Sequence, residues 1–263
     1  MRLTVHGTSG PFVVKLAGIA GGTGLYREEM EAAASAGYRV IALETTGDLH
    51  DDPAPWPLSW DGFSRDLEAG LDRAGAERAV LWGTSFGCLV ALACAARLPS
   101  RVSGLLLCHP PDPLFRPARY VGLLEWSERR RRADLAARLL FSAGFITLTS
   151  WEGVMPRLWS RLPALLSASL EAATPPSTVR GKLALLFRDD PGLPSNPSLP
   201  IEIVVGAWDL VAPLSRARGL ASRLPSARMT VMGFSGHAGA YTRPSTYRRV
   251  VQGALARLSS HAK

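Results

Sequence analysis

The sequence predicts an α/β fold built on a mostly parallel, doubly wound sheet that is interrupted by a helical insertion. Three observations carry this. Apolar runs of strand length alternate with helical stretches, the pattern of a parallel sheet with crossover helices. The runs end in loops rich in glycine or other small residues, where such sheets bind ligands. From residue 110 to about residue 200 the alternation stops, and prolines separate helical patches with no convincing strand between them. The predicted core is therefore 1–109 together with 201–263, and 110–200 is a cap or lid over the strand ends.

Taken in order, RLTVH is a short strand, and after the turn GTSG comes the buried strand PFVVKLA (11–17) with its loop GIAGGTG. LYREEMEAAASAG is helical and closes on Gly37; YRVIALE is the next strand. The proline-rich loop TTGDLHDDPAPWPLS leads to the helix WDGFSRDLEAGLDRAG. AVLWG is a strand, SFGCLVALACAARLP a helix that stops before Pro99, and VSGLLLCH a strand. The insertion has helical patches at 117–141, 154–172 and 177–188. The alternation resumes with the strand IEIVVGAW (201–208), the helix PLSRARGLASRLP, the strand ARMTVMGF, the loop SGHAGA and a last helix from about Tyr241.

Composition excludes several classes. With 263 residues, 47% of them hydrophobic, the chain suits one large domain. MRLTVHGTSGPFVVKLAG shows no secretory pattern, so a cytoplasmic location is expected. The uncharged run from Ala79 to Ala96 has the length of a marginal membrane span. Gly83, Thr84, Ser85 and Gly87 at its centre suit a strand running into a helix instead, and no membrane association is expected. Cys88, Cys94 and Cys108 lie in apolar segments without C-x-x-C spacing and read as core residues in a reducing compartment. The net charge of +8 comes from scattered, mostly arginine residues. The single run, Arg129 to Arg132, shares its segment with Trp126, Leu135, Leu139 and Leu140, which reads as the solvated face of an amphipathic helix and not a nucleic-acid patch. His50, Asp51 and Asp52 are adjacent in a proline-rich loop and do not converge on one ion, so no metal is predicted.

The chemistry centres on WGTSFG (82–87). G-x-S-x-G arises by chance in roughly one chain in five at this glycine content, so its context decides. Ser85 stands between the strand AVLWG and a helix, with Gly83 and Gly87 leaving room for a sharp turn; the helix N-terminus favours negative charge beside it. A serine nucleophile needs a base held by a carboxylate. His237, flanked by small residues after the last strand, is the preferred base; His109, at the end of VSGLLLCH, is the alternative or a pocket residue. Asp209, directly after IEIVVGAW, is the preferred acid, with Asp112 as the alternative.

The order Ser85, Asp209, His237, the elbow Gly83-Thr84-Ser85-Phe86-Gly87, the stretch Gly206-Ala207-Trp208-Asp209 with Pro213, and Gly236-His237 together resemble the α/β-hydrolase fold superfamily over essentially the whole chain. The resemblance implies an oxyanion hole from the backbone N–H groups of Phe86 and, in Ala17-Gly18-Ile19, of Ile19. Two departures stand out. Relatives often begin the first loop His-Gly, where this chain has Ala17-Gly18, and often carry Asp-x-Arg-Gly-x-Gly where it has Glu44-Thr45-Thr46-Gly47-Asp48-Leu49.

The resulting expectation is a serine hydrolase that uses no cofactor and acts on a small or medium apolar ester, thioester or lactone. Trp126, Leu140, Phe141, Phe145, Trp151, Met155 and Trp159 make the insertion rich in apolar side chains; of these Trp126, Phe141, Trp151 and Trp159, with His109, are pocket candidates. One alternative keeps the fold for a cyclase, isomerase or acyl transferase. A remoter one reads Gly18, Gly22 and Gly24 with Glu44 as the NAD(P)-binding loop of a short-chain dehydrogenase. No tyrosine here has a lysine four residues later, as those enzymes require.

Overall fold

A computed structural model describes residues 2–19, 21–48, 57–114, Gly122, Trp126 and residues 174–260. Seven strands, β1 (Arg2–His6), β2 (Phe12–Leu16), β3 (Arg39–Glu44), β4 (Ala79–Thr84), β5 (Val102–Cys108), β6 (Ile201–Gly206) and β7 (Ala227–Met232), form one sheet in the order β1-β3-β2-β4-β5-β6-β7. Only the β1–β3 pair is antiparallel. The central strands β2, β4, β5 and β6 are buried along their whole length, as their mostly apolar runs require, with Lys15 and Glu202 the charged residues within them; β1 and β7, at the edges, are mainly exposed and half-buried.

The helices are α1 (Arg27–Ser35), α2 (Trp60–Arg73), α3 (Phe86–Arg97), α4 (Pro176–Arg188), α5 (Leu214–Ala221), α6 (Gly239–Thr242) and α7 (Pro244–Ser260). Successive strand residues point to opposite faces, so two cores form. Val14, Leu16, Leu81 and Leu105 pack with α2, α3 and Leu220 of α5 on one face; Val13, Val80, Trp82 and Leu106 pack with Met30 of α1 and Tyr247, Val251 and Leu255 of α7 on the other. In α2, Trp60, Phe63, Leu67 and Leu71 lie on the buried face, and the Ser59 hydroxyl accepts from the Gly62 N–H at 3.1 Å to start the helix.

Differences from the sequence reading are local. A short 3-10 turn, Thr23–Tyr26, precedes α1. The last helix begins as α6 and restarts as α7, because Pro244 offers no N–H and drives Arg243 out of the helical region, to φ −137° and ψ 55°. Of the predicted insertion helices, 177–188 is α4; 117–141 and 154–172 lie outside the described residues, apart from Gly122 and Trp126, which are helical. The run from Ala79 to Ala96 divides into β4 and α3, and among the described residues no helix is long and apolar enough to cross a membrane.

The chain passes from β2 outward to β3 and then back across to β4. Strand order therefore reverses between β2 and β4, and their carboxyl-end loops flank one crevice.

Candidate active site

That crevice holds Ser85. The residue sits between β4 and α3 with φ 52° and ψ −119°, a left-handed conformation that costs a non-glycine residue on the order of 1–3 kcal/mol and persists only where the surroundings enforce it. They do. The Ser85 N–H donates to the Cys108 carbonyl on β5 at 2.9 Å, and the Ser85 carbonyl accepts from Cys88 N–H at 2.9 Å. A Cβ on Gly83 would lie 2.4 Å from the Gly87 carbonyl oxygen, and one on Gly87 would lie 2.3 Å from that of Leu16, so neither position admits a side chain.

The loop after β2 lies alongside. A Cβ built on Gly18 would be 3.7 Å from Ser85 Cβ, which puts Ala17-Gly18-Ile19 beside the nucleophile candidate. Ile19 packs against both the core and an apolar patch of α4 made by Val179 and Leu183. The Phe86 ring, 2% exposed, stacks on Trp60 at 5.7 Å and meets Phe63 edge-on at 5.9 Å, anchoring the first residue of α3.

Asp209 and His237 come together from the loops after β6 and β7. The Ala207 N–H donates to the Met232 carbonyl and the Trp208 N–H to that of Ser235, stitching the two loops to each other. Asp209 Oδ2 accepts from His237 Nδ1 at 2.8 Å, and Oδ1 accepts from the N–H groups of Val211 and Ala212 at 3.0 and 2.7 Å. Oδ2 also accepts from His109 Nδ1 at 2.9 Å. Burial pushes the Asp209 carboxyl up, yet His237 and His109 outweigh it and hold the group well below the usual carboxylate range.

Other candidates go elsewhere. His109, named as a pocket candidate, is 1% exposed, with its Nδ1 2.9 Å from Asp209 Oδ2. Asp112 pairs with Arg223 at 2.7 Å. Trp126 is 45% exposed, and Phe141, Trp151 and Trp159, like His50 and its neighbours, lie outside the described residues. A cavity of about 10 Å³ between Ala17, Asp48, Phe86 and Lys182 has room for one water and is no substrate pocket.

The ribose-binding role considered for Glu44 is taken up internally. Its Oε1 accepts from the Thr23 N–H at 2.7 Å and the Thr23 hydroxyl at 2.6 Å, and a Cβ on Gly22 would lie 2.6 Å from the same oxygen. The loop departing from Asp-x-Arg-Gly-x-Gly has its own bracing: Thr45 donates its N–H and hydroxyl to Asp48 Oδ2, and Thr46 does the same to Asp66. Lys182 of α4 pairs with Asp48. This pair, and Lys15 on β2, escaped the sequence reading. Lys15 left a signal, as the one charge inside PFVVKLA; the Asp48–Lys182 pair spans 134 residues and left none.

Among the described residues His109, Asp209 and His237 bring three possible metal-ligand atoms within 4.8 Å. The N–O separations of 2.8 and 2.9 Å fit shared protons; ligands of a tetrahedral ion stand roughly 3.3 Å apart. The three cysteines are buried, and burial raises their thiol pKa values, so they are poor nucleophiles.

Comparison with known proteins gives the family. The family described as alpha/beta hydrolase fold matches residues 11–244. A protein of Cronobacter sakazakii named "Putative carbamate hydrolase RutD" is 27% identical over 262 residues, covering 95% of this chain and 92% of its own; its namesake in Klebsiella pneumoniae is 28% identical, covering 93% and 91%. Among solved structures, an esterase from Thermogutta terrifontis superposes with a TM-score of 0.78 at 20% identity, over 98% of this chain and 93% of its own. An enol-lactonase from Burkholderia xenovorans LB400 superposes with a TM-score of 0.75 at 21% identity, over 97% and 96%. The chain belongs to the α/β-hydrolase fold family and is an α/β-fold hydrolase.

Proposed function

We propose that the protein is a serine hydrolase of small or medium apolar esters, thioesters or lactones, working through an acyl-enzyme with Ser85, His237 and Asp209 as its triad. The observation that carries this reading is the 2.8 Å bond from His237 Nδ1 to Asp209, with a serine held at φ 52° at the carboxyl end of β4 in the same sheet. A histidine that donates its Nδ1 proton to a carboxylate carries its basic lone pair on Nε2. His237 takes the Ser85 proton as Oγ attacks the acyl carbonyl, and Asp209 stabilises the imidazolium. The N–H groups of Phe86 and Ile19 receive the oxyanion. Protonation of the leaving group by His237 releases it, and water activated by the same ring frees the acid. In this reading residues 110–200 are the lid, and Trp126, Phe141, Trp151 and Trp159 its pocket candidates. The substrate is a small molecule, with no nucleic-acid or membrane partner, turned over without a cofactor in the cytoplasm.

The RutD relatives support a second reading, in which the acyl carbonyl is that of a carbamate. The same attack and oxyanion serve, and only the acyl group differs.

Purified protein is expected to cleave short p-nitrophenyl esters and to be labelled at Ser85 by a fluorophosphonate. Ser85→Ala should lose label and lower kcat by about 10³-fold or more. Full activity in that variant would remove Ser85 from the mechanism.

A further inference from the structure

The acid of the site is bound by two histidines, and only one has been given a task. We propose that His109 is a positioning residue of the triad: it donates Nδ1–H to the oxygen that also holds His237, fixes Asp209, and lowers the pH at which His237 becomes an active base. The inference rests on His237 being that base.

His109 lies where such a part must come from, at the carboxyl end of β5, the strand between the nucleophile's β4 and the acid's β6. Its backbone N–H donates to the Val204 carbonyl on β6 at 2.7 Å. Its φ of 55° is left-handed, one of three such non-glycine residues described, with Ser85 another. Held this way the ring lies parallel to that of Tyr247 on α7, 8° between planes at 6.2 Å, and at 60° to the His237 ring at 5.3 Å. At 1% exposure it meets Asp209 from within the core.

Counting protons fixes its state. An ionised carboxylate only accepts, and Asp209 takes four hydrogen bonds, two at each oxygen, which fills its lone pairs. Both imidazoles must then carry hydrogen on Nδ1. His109 Nε2 is left as a lone pair, buried with no hydrogen-bond partner, in the space that Gly239 of α6 keeps open, where a Cβ would lie 3.6 Å from it. The opposite tautomer would bury a donor without an acceptor and set a lone pair against a carboxylate. Protonation would bury a second N–H, and burial, with His237 and the Lys15 ammonium from β2, holds the His109 pKa below its ordinary value. Tyr247 from α7 and Cys108 beside it on β5 are neutral, both pushed up by burial. His109 is thus a fixed neutral donor that cannot replace His237 as the base.

A neutral donor on Oδ2 takes a share of the charge that would otherwise stabilise the His237 imidazolium. Its removal returns that share, so His237 keeps its proton to higher pH and the acidic limb of kcat/KM moves up.

Two experiments test this. With ¹⁵N-labelled histidine, NMR of the unaltered protein between pH 5 and 9 is expected to show His109 as a neutral imidazole with its proton on Nδ1; a proton on Nε2 overturns the proposal without reference to activity. The kcat/KM profile for a p-nitrophenyl ester is then measured for His109→Phe, which keeps a ring and removes the donor, and for His109→Asn, which keeps an N–H donor and tolerates the left-handed backbone. His109→Phe should lose about 10- to 100-fold at neutral pH. Its acidic limb should rise by about half a unit or more, while the limb of His109→Asn stays in place. An unmoved limb in His109→Phe, or an equal movement in both variants, overturns the proposal. Should His109→Phe fail to fold, the NMR result and the limb of His109→Asn still decide. Failure of Ser85 to label would instead sink the triad reading and leave the tautomer standing.

Discussion

The two halves of the site bury charge in opposite ways. At the carboxyl ends of β5, β6 and β7, the buried carboxylate Asp209 is met by four hydrogen bonds, two of them from histidines. In the half built around β2, β3 and β4, the buried charged groups are Lys15, Lys182, Asp48 and Glu29, with Glu44 half-buried, and neither the proposed attack nor the proton transfer uses them. Lys182 has Asp48 as a counter-ion; Lys15 meets the Thr84 hydroxyl at 2.5 Å and the faces of Tyr26 and Trp82 at 3.9 and 4.4 Å. Charge in the first half is aimed at the reaction. In the second it holds the strand-end loops, so substitutions should separate into effects on rate and effects on stability.

The largest effect belongs to the first half. Asp209→Asn keeps the shape but offers an amide where the histidines need an acceptor, so His237 turns its proton to Nε2 and loses its basic nitrogen. A fall in kcat of about 10³- to 10⁴-fold is expected, measured on a p-nitrophenyl ester, with a much smaller change in melting temperature. A large loss of stability with kcat intact would erase the difference between the halves.

Lys182→Met should act the other way. Both partners of its ion pair are almost wholly buried, at 2% and 4% exposure, and the change strands the Asp48 carboxylate with the donors of Thr45 alone. A loss of about 2–4 kcal/mol in urea denaturation is expected, with kcat changed far less than in Asp209→Asn. Adding Asp48→Asn should recover part of it, because the stranded charge is then gone. A double variant no better than the single one would show that Lys182 stabilises by packing on α4 and not by its charge.

What the sequence revealed follows the same division. The fold was legible because central strands read as mostly apolar runs and edge strands as mixed ones. Ser85, Asp209 and His237 could be named because each lies in the loop after a strand, directly past β4, three residues past β6 and five past β7, so position along the chain is position at the strand ends. His109 follows its strand in the same way and was named, but its partner was not, since sequence places a residue at an edge without saying which neighbour it faces. The pairing of Asp48 with Lys182 joins a core loop to the insertion across 134 residues, and local pattern carries no information over that range. Lys15 was visible as an anomaly, and its meaning depended on the ring faces of Tyr26 and Trp82, which only folding brings together.

The smallest effect has the opposite sign. Burial pulls the Lys15 ammonium down from its ordinary value to about 8, against the opposing influence of Cys108, Glu29 and Cys88. Holding that charge in the fold costs up to roughly 3 kcal/mol at neutral pH, and the Thr84 bond and two aromatic faces offset part of it. Lys15→Met should therefore raise stability by about 1–2 kcal/mol at pH 7. The pH dependence separates this from better packing. Below about pH 8 both the folded and the unfolded chain carry the proton, and the full cost is present. Between about 8 and the unfolded value near 10.5 the folded protein has released the proton and the unfolded chain still holds it, so unfolding takes up a proton and rising pH favours the fold. The advantage of Lys15→Met should shrink across that window. Tyr26, pushed up by burial, weakens the fold at high pH in both proteins and cancels in the difference. Denaturation of the pair at pH 7, 8, 9 and 10 measures this, and a constant gap between them would mean that the ammonium is not what the fold works against.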